Sequence, residues 1–367
     1  MTSRPPDARA SVLIATTWHC NLRCSYCFVR QSGLAAPSAS MSPDLAVRVV
    51  DALDIGLAHV ENICLHFYGG EPLTNLPAME ALIDRAHGKA PGRFSFAITT
   101  NGTILSRQVL DLLQAGHFDI VLSVDGPAEV HDVCRRTHAG EPTHARVLQF
   151  LDAVRTQTDC TIRGSSVVRS GWSLAQASAY LHSLPVGAHK AQIVRGVDGP
   201  LALTAQEREA YLHDLEAIGQ QVIDALEAGH VPRDDRYSMR LMQLFKGTPR
   251  ESFCGAGQLI FGITPFGDVL PCVLLDAETH RLGDIDDAPE TWLGAGLQWR
   301  AARPARDECG QCDALPLCGG GCPAMLSACG AEECEITRKE CQIARSVYEH
   351  FRDREDKLFP LFGFEWD

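Results

Sequence analysis

The chain has 367 residues, enough at about 150 residues per domain for two domains whose cores need no disulfide staples. With 33 Lys+Arg against 46 Asp+Glu the formal net charge is −13, which excludes sequence-blind nucleic-acid binding, a mode that needs clustered cations to displace counterions, while a basic peptide partner is tolerated. No apolar run approaches the ~20 residues of a membrane helix, and in the polar N-terminus (MTSRPPDARA) the run Val12–Ala15 is too short for an export-signal core, so a cytoplasmic chain with neither membrane nor nucleic acid as partner is expected.

In chain order, Ser11–Thr17 reads as a buried first strand, followed by a loop carrying Cys20-Asn-Leu-Arg-Cys24-Ser-Tyr-Cys27. Ser42-Pro43-Asp44 is an N-cap, a first-turn proline and a first-turn acid, and Leu45, Val49, Leu53 and Leu57 follow at helical spacing. Strands are expected at Asn62–Tyr68, Phe94–Thr99, Asp119–Val124, Thr161–Val168 and Lys190–Val194, separated by helical stretches near 75–87, 106–116, 143–156 and 173–184. Such βα units argue for a parallel sheet, either open and doubly wound or closed as a barrel. Three strands run into polar or glycine-rich turns (Gly69-Gly70-Glu71-Pro72, Thr100-Asn101-Gly102, and Ser123-Val124-Asp125-Gly126-Pro127), and the carboxyl ends of parallel strands are where α/β barrels build active sites. Residues 204–228 and 237–246 read as helical bridges. Beyond Cys254 a hairpin is expected (Leu259–Thr264, Asp268–Leu270, with Pro265–Asp268 as the turn), then a short helix near 289–302, and Cys341 on a final helix.

Cysteine is the outlier: there are 15, three of them between Cys20 and Cys27 and nine between Cys254 and Cys341. In a chain without an export signal, clustered cysteines indicate metal or redox chemistry rather than disulfides. Structural zinc wants four ligands, usually as paired C-x2-C, whereas three thiolates on one short loop suit a cubane cluster with one iron left open for an external ligand.

This loop, with Gly69-Gly70-Glu71-Pro72 and the later strand-end turns, resembles the radical S-adenosylmethionine (SAM) enzymes. The resemblance implies a partial (β/α)6 TIM-like barrel in which Cys20, Cys24 and Cys27 hold a [4Fe–4S] cluster whose open iron is chelated by the methionine end of SAM. Reductive cleavage of the sulfonium then yields a 5′-deoxyadenosyl radical, the cofactor carrying the difficult chemistry and the protein the orientation. It further implies Tyr26 near adenine and Gly69, Gly70 and Glu71 at the methionine amino group. Asn101, Ser123 and Asp125 would line the ribose or substrate pocket, and Arg135, from His131-Asp132-x-x-Arg135, would take the methionine carboxylate, with Arg136 as the neighbouring alternative.

The pattern Cys254…Gly267-x4-Cys272…Cys309-x2-Cys312-x5-Cys318-x3-Cys322…Cys341 resembles the SPASM extension, a small cysteine-rich α+β iron–sulfur domain with two auxiliary clusters. It implies Cys309, Cys312, Cys318 and Cys341 for the second cluster and Cys254, Cys272 and Cys322 for the first, whose fourth position is an open iron, Cys329 or Cys334. That makes three [4Fe–4S] clusters in all. The resulting division is a barrel over 1–203, a helical bridge over 204–250, an auxiliary-cluster domain over 251–355 and an aromatic tail over 356–367 carrying Phe359, Phe362, Phe364 and Trp366, expected to pack as a strap across the barrel. Cys64, Cys134 and Cys160 read as ordinary reduced thiols.

Functionally, the resemblance implies a maturase that abstracts hydrogen from a ribosomally made precursor peptide to give a crosslink or an oxidised product, served by an electron donor of flavodoxin or ferredoxin type. A winged-helix leader-binding domain of ~80 residues, within the usual domain range, does not fit into the 19 residues before Cys20, so leader recognition is expected from a separate protein or the barrel itself. An anaerobic sulfatase maturase forming formylglycine is the alternative. That group carries an Asp after the cysteine matching Cys272; here Val273 stands there, and Asp276 is the nearest acid able to serve as catalytic base. A non-catalytic iron–sulfur electron carrier is the third class, disfavoured by the retained strand-end turns.

Overall fold

The computed structural model describes residues 9–27, 29, 39–194, 199–247, 249–250, 252–302 and 307–362, without the side chains of 307, 327–329, 331, 360 and 362. Two compact units emerge: residues 1–124, 131–162 and 255–303, and residues 125–130, 163–254 and 304–367. This division cuts across the sequence-order boundaries, because the segment after Cys254 joins the unit that holds the first strands.

In the first unit, β1 (Arg9–Thr17), β2 (Asn62–Gly69), β3 (Phe94–Thr100) and β4 (Asp119–Ser123) pair in parallel, each with its sequence neighbour. Val12, Ile14, Ile63, Leu65, Phe67, Ile98, Ile120 and Leu122 are buried without exposed surface, the near-continuous apolar signature of strands covered on both faces. Between them lie α1 (Pro43–Gly56), α2 (Leu76–Lys89) and α3 (Arg107–Gly116). Ser42 Oγ accepts from Leu45 N at 3.1 Å, so the N-cap read from sequence starts α1 where expected. On the other side of β1, β7 (Ile260–Ile263) pairs in parallel, Ser11 opposite Ile260, and β8 (Asp268–Leu270) and β9 (Gly283–Asp284) continue antiparallel from it. The hairpin expected as the start of a separate domain is thus an extension of the first sheet. A Cβ on Gly262 would lie 2.3 Å from Val273 N, so a glycine in β7 lets the Cys272–Val273 backbone cross over it.

The second unit pairs β5 (Thr161–Val168) with β6 (Ala188–Ile193) in parallel and carries α6 (Leu174–Ser183), after α4 (Ala128–Cys134) and α5 (His144–Gln157) earlier in the chain. Then come α7 (Ala205–Glu227), α8 (Ser238–Phe245), the four-residue α11 (Leu315–Cys318) and the long α12 (Pro323–His350); the intervening α9 (Ala277–His280) and α10 (Pro289–Ala301) lie in the first unit. Six strands each followed by helix, then a cysteine-rich C-terminal region, make the mixed α/β architecture expected. Of the aromatic tail, Leu358 is fully buried and Phe359 meets Phe245 edge-on at 5.9 Å; Phe364 and Trp366, and the side chain of Phe362, lie outside the described residues.

The start of α7 gives a pH prediction. Glu207 closes a capping box, accepting from Thr204 N and Gly171 N at 2.9 Å each, and these N–H groups hold its carboxyl down at about 2 from the ordinary 4.5. A folded-state value below the unfolded one means the ionised form contributes stability above pH ~4.5 and loses it as pH falls toward ~2. In urea titrations the stability gap between wild type and Glu207→Gln should therefore narrow on acidification through that window.

Candidate active site

The cysteine loop is positioned by backbone geometry at both ends. Before it, the Gly69–Glu71 turn adds to the end of β1: Gly70 N donates to Thr17 O and Glu71 N to His19 O, both at 2.9 Å. Gly69 has φ +118°, and a Cβ on Gly70 would stand 2.1 Å from His19 O and 2.6 Å from Trp18 O. Only glycine admits this approach, so the pair sets where Cys20 begins. After Cys20 the loop pairs with the segment following α4: Leu22 bridges Thr137, Arg23 N donates to Arg136 O at 2.8 Å, and Ser25 N to Cys134 O at 3.2 Å. His138 Nε2 lies 3.0 Å from Cys20 O.

That partner segment is fixed by the first two residues of the His131-Asp132-x-x-Arg135 pattern. Asp132 Oδ1 accepts from Thr143 N and His144 N at 2.7 and 2.9 Å, and buried His131 contacts Thr143 Oγ1 at 3.1 Å. Arg135 is buried with its guanidinium 5.4 Å from the ring centre of Tyr26, a cation–π contact that unites two of the expected cofactor residues. Arg136, the neighbouring alternative, is exposed and donates to Gly140 O at 2.8 Å.

Glu71 turns inward. Its carboxylate accepts from Asn101 N at 2.7 Å, Thr100 Oγ1 at 2.8 Å and Leu73 N at 3.2 Å, tying the turn after β2 to the end of β3. Burial pushes its carboxyl up to about 7, opposed by these donors and by the charge of Arg135. Both oxygens are engaged, so the residue's contribution to a ligand pocket runs through the backbone it holds. Glu71→Gln would turn an NH2 group toward donors, and about 2 kcal/mol of stability should be lost in chemical denaturation. Asn101 reaches the cysteine loop directly, with Nδ2 2.9 Å from Asn21 Oδ1 and 3.8 Å from Cys20 Sγ.

Ser123 is half-buried at the end of β4. Asp125 is fully buried in the second unit, where its carbonyl accepts from Ser166 Oγ and Trp172 Nε1 at 2.8 Å each and its Oδ1 from Val167 N at 3.3 Å. Its side chain is engaged with β5, an anchoring role that the turn-like sequence around it did not reveal.

The donor set fits a cluster. Cys20, Cys24 and Cys27 share one short loop, and burial pushes the Cys20 thiol up to about 12 with Cys24 and Cys27 close enough to contribute. Such a thiol does not ionise at neutral pH on its own; coordination to metal removes its proton. Leu22 N, at 3.4 Å, and Asn101 Nδ2 point at the Cys20 sulfur, contacts of the kind that tune iron–sulfur potentials.

Residues 14–163 match the model of the radical SAM superfamily. That segment of the chain is similar to the radical SAM superfamily. Over 90% of this chain and 93% of the relative, it is 24% identical to a cysteine-type anaerobic sulfatase-maturating enzyme of Clostridium perfringens. It is also 26% identical to the mycofactocin maturase MftC of Mycobacterium tuberculosis, over 97% of this chain and 92% of that one. A solved structure, native anSMEcpe with bound AdoMet and Cp18Cys peptide, shares the fold with a TM-score of 0.73 at 20% identity, covering 94% of this chain and 97% of the other. The radical SAM resemblance read from the cysteines therefore stands, with a cysteine-rich region following the βα units.

In that C-terminal region, the glycine run after Cys318 curls over its sulfur. Gly320 and Gly321, at φ +90° and +82°, direct their N–H groups to Cys318, and a Cβ on Gly319 would lie 2.3 Å from Ser252 C, so the loop is pressed against the segment leading to Cys254. Of the residues expected around the first auxiliary cluster, Cys254 and Cys322 belong to the second unit and Cys272 to the first; the side chain of Cys329 is outside the described residues. Cys341 is fully buried and hydrogen-bonded to Arg240. Arg240 was not anticipated; its only sequence signal is a lone cation on a short helix.

Val273 and Asp276 part company. Val273 is buried among Ala15, Trp18, Val29 and Ala39, with Cys27 against the same cluster. Asp276 is the exposed N-cap of α9, its Oδ1 accepting from Thr279 N at 2.8 Å, which lowers its pKa. One oxygen of that carboxylate thus caps its helix, and the other lies 3.9 Å from His280 Nε2. Among the described residues no helix is long and apolar enough to cross a membrane.

Proposed function

We propose that this protein is a cytoplasmic radical SAM maturase of a ribosomally made peptide, with Cys20, Cys24 and Cys27 holding the SAM-binding [4Fe–4S] cluster and the C-terminal cysteines two auxiliary clusters. The observation that carries it is the three-thiol loop seated between the Gly69–Glu71 turn and the 134–138 segment, with Asn101 and Leu22 N aimed at one sulfur. When bound, cluster and SAM supply a carbon radical that abstracts hydrogen. In this reading the Gly69–Glu71 turn presents its backbone carbonyls to the methionine amino group, Arg135 offers its guanidinium to the carboxylate from over Tyr26, and Ser123 and Asn101 present polar groups to the ribose side. An electron donor of flavodoxin or ferredoxin type would reduce the clusters, and a separate leader-recognition protein is compatible with the reading.

The sulfatase-maturase likeness supports a second reading, formylglycine formation. Its removal step needs a base near the auxiliary-cluster cysteine, and buried Val273 offers none. The test is paired. Reduced wild type should cleave SAM to 5′-deoxyadenosine, and mass spectrometry of peptides co-expressed with it should show loss of two hydrogens or of carbon dioxide. Formylglycine from a sulfatase-type Cys or Ser peptide would favour the second reading, and its loss in Asp276→Asn would make Asp276 the base.

A further inference from the structure

A cavity of about 390 Å³ in the second unit is lined by residues of β6, α7, α8 and α12. Side chains alternate along a strand: His189 and Ala191 are buried on one face of β6, and half-buried Lys190 and Gln192 line the cavity from the other. Three arginines line it too, and each has an acceptor. Arg236 pairs with Asp234 at 3.3 Å and with Glu340 at 3.4 Å. Arg240 pairs with Glu340 at 2.9 Å and hydrogen-bonds Cys341, and Arg250 donates to Phe253 O at 2.5 Å. Asp235 is held by Arg163 at 2.6 Å. Lys190 differs: it has no hydrogen bond or ion pair among the described residues. Burial lowers its pKa below the ordinary 10.5, and Glu340 and Asp235 act on it only at a distance.

We propose that this cavity is a carboxylate subsite, in which the Lys190 ammonium, with the Gln192 amide beside it on the strand, binds a carboxylate of the substrate peptide. That the carboxylate belongs to a peptide rests on the maturase reading; the subsite itself does not. An ammonium withdrawn from water without an acceptor costs stability, and a carboxylate seated against it would supply a charge-assisted hydrogen bond. The charge balance selects the ligand. Lys190 and the three arginines face three carboxylates in the lining, Asp235, Glu333 and Glu340, which leaves one positive charge in excess. A singly charged carboxylate cancels it, whereas a dianionic phosphate would overshoot beside three acids.

The test uses full-length, anaerobically reconstituted wild type, Lys190→Met and Lys190→Arg, with two pairs of probes at matched ionic strength. One pair is N-acetylglutamate and N-acetylglutamine; the other is an end-blocked alanine-rich peptide carrying one Glu and the same peptide with Gln. Binding is read by titration calorimetry and by the shift in melting temperature, without SAM. Wild type should prefer each Glu probe by about tenfold or more, the worth of a hydrogen bond to a charged group. Lys190→Arg should keep the preference and Lys190→Met should lose it. Without probe, Lys190→Met should melt no lower than wild type, since an apolar chain replaces an ammonium that has no acceptor. Equal affinity of wild type for Glu and Gln probes, an undiminished preference in Lys190→Met, or a lower melting temperature of that variant overturns the subsite. A preference for N-acetylglutamate with none for the Glu peptide overturns the peptide source in favour of a free carboxylic acid. An intact preference for both Glu probes in a protein whose co-expressed peptides gain no modification counts against the maturase reading alone.

Discussion

Protein in which Cys20, Cys24 and Cys27 are all replaced by alanine is expected to lose about four irons per chain, keep the iron of the C-terminal cysteines, and release no 5′-deoxyadenosine. The activity loss should exceed the ~10²–10⁴-fold cost of a missing acid or base, because the group that cleaves SAM goes with the thiols. Folding should survive. The loop is seated by main-chain bonds, from Leu22, Arg23 and Ser25 to the 134–137 segment, and none of these needs a sulfur. Cys64→Ala and Cys160→Ala are the controls: Cys64 is buried in β2, and the Cys160 thiol donates to Leu113 O at 3.2 Å. Neither should change iron content. A triple variant that still cleaves SAM would remove the loop from the mechanism, and tightly bound zinc at the C-terminal cysteines would remove the auxiliary clusters.

The parts of the fold that local pattern determines were legible in the sequence. Ser42-Pro43-Asp44 marked the start of α1, and apolar runs marked β1 to β6 to within two residues at each end. What pairs across long separations was not. Nothing near Ile260 announces Ser11 as its neighbour, so β7 was read as the opening of a new domain rather than as the next strand of the first sheet. The site shows the same divide. Glycines, thiols and Arg135 could be named by type and spacing, but the direction a polar side chain faces could not. Glu71 and Asp125 sit at strand ends where ligand contact was expected, and the structure turns both carboxylates toward backbone donors.

Gly70→Ala is expected to be the most damaging single change to the site outside the cysteines. The added methyl would lie 2.1 Å from His19 O, 2.6 Å from His19 C and 2.6 Å from Trp18 O. All three are backbone atoms, so no rotamer change relieves the contact, and the turn or the cysteine loop must move. Overpacking against mobile side chains costs ~1–3 kcal/mol; with main chain on the receiving side the loss should be at the top of that range, about 3 kcal/mol. The movement would break the bonds from Gly70 N to Thr17 O and from Glu71 N to His19 O, and with them the placement of Cys20 against Asn101. The variant should therefore take up less iron at the N-terminal site and bind SAM weakly even when its melting curve remains cooperative. Gly88→Ala separates this effect from a general cost of losing glycine, since nothing lies within 4 Å of a Cβ there and the position is within α2. It should be neutral or slightly stabilising by helix propensity. Thermal melts and iron analysis on the two variants side by side decide the matter: equal iron in Gly70→Ala and wild type would mean that the turn does not set the loop.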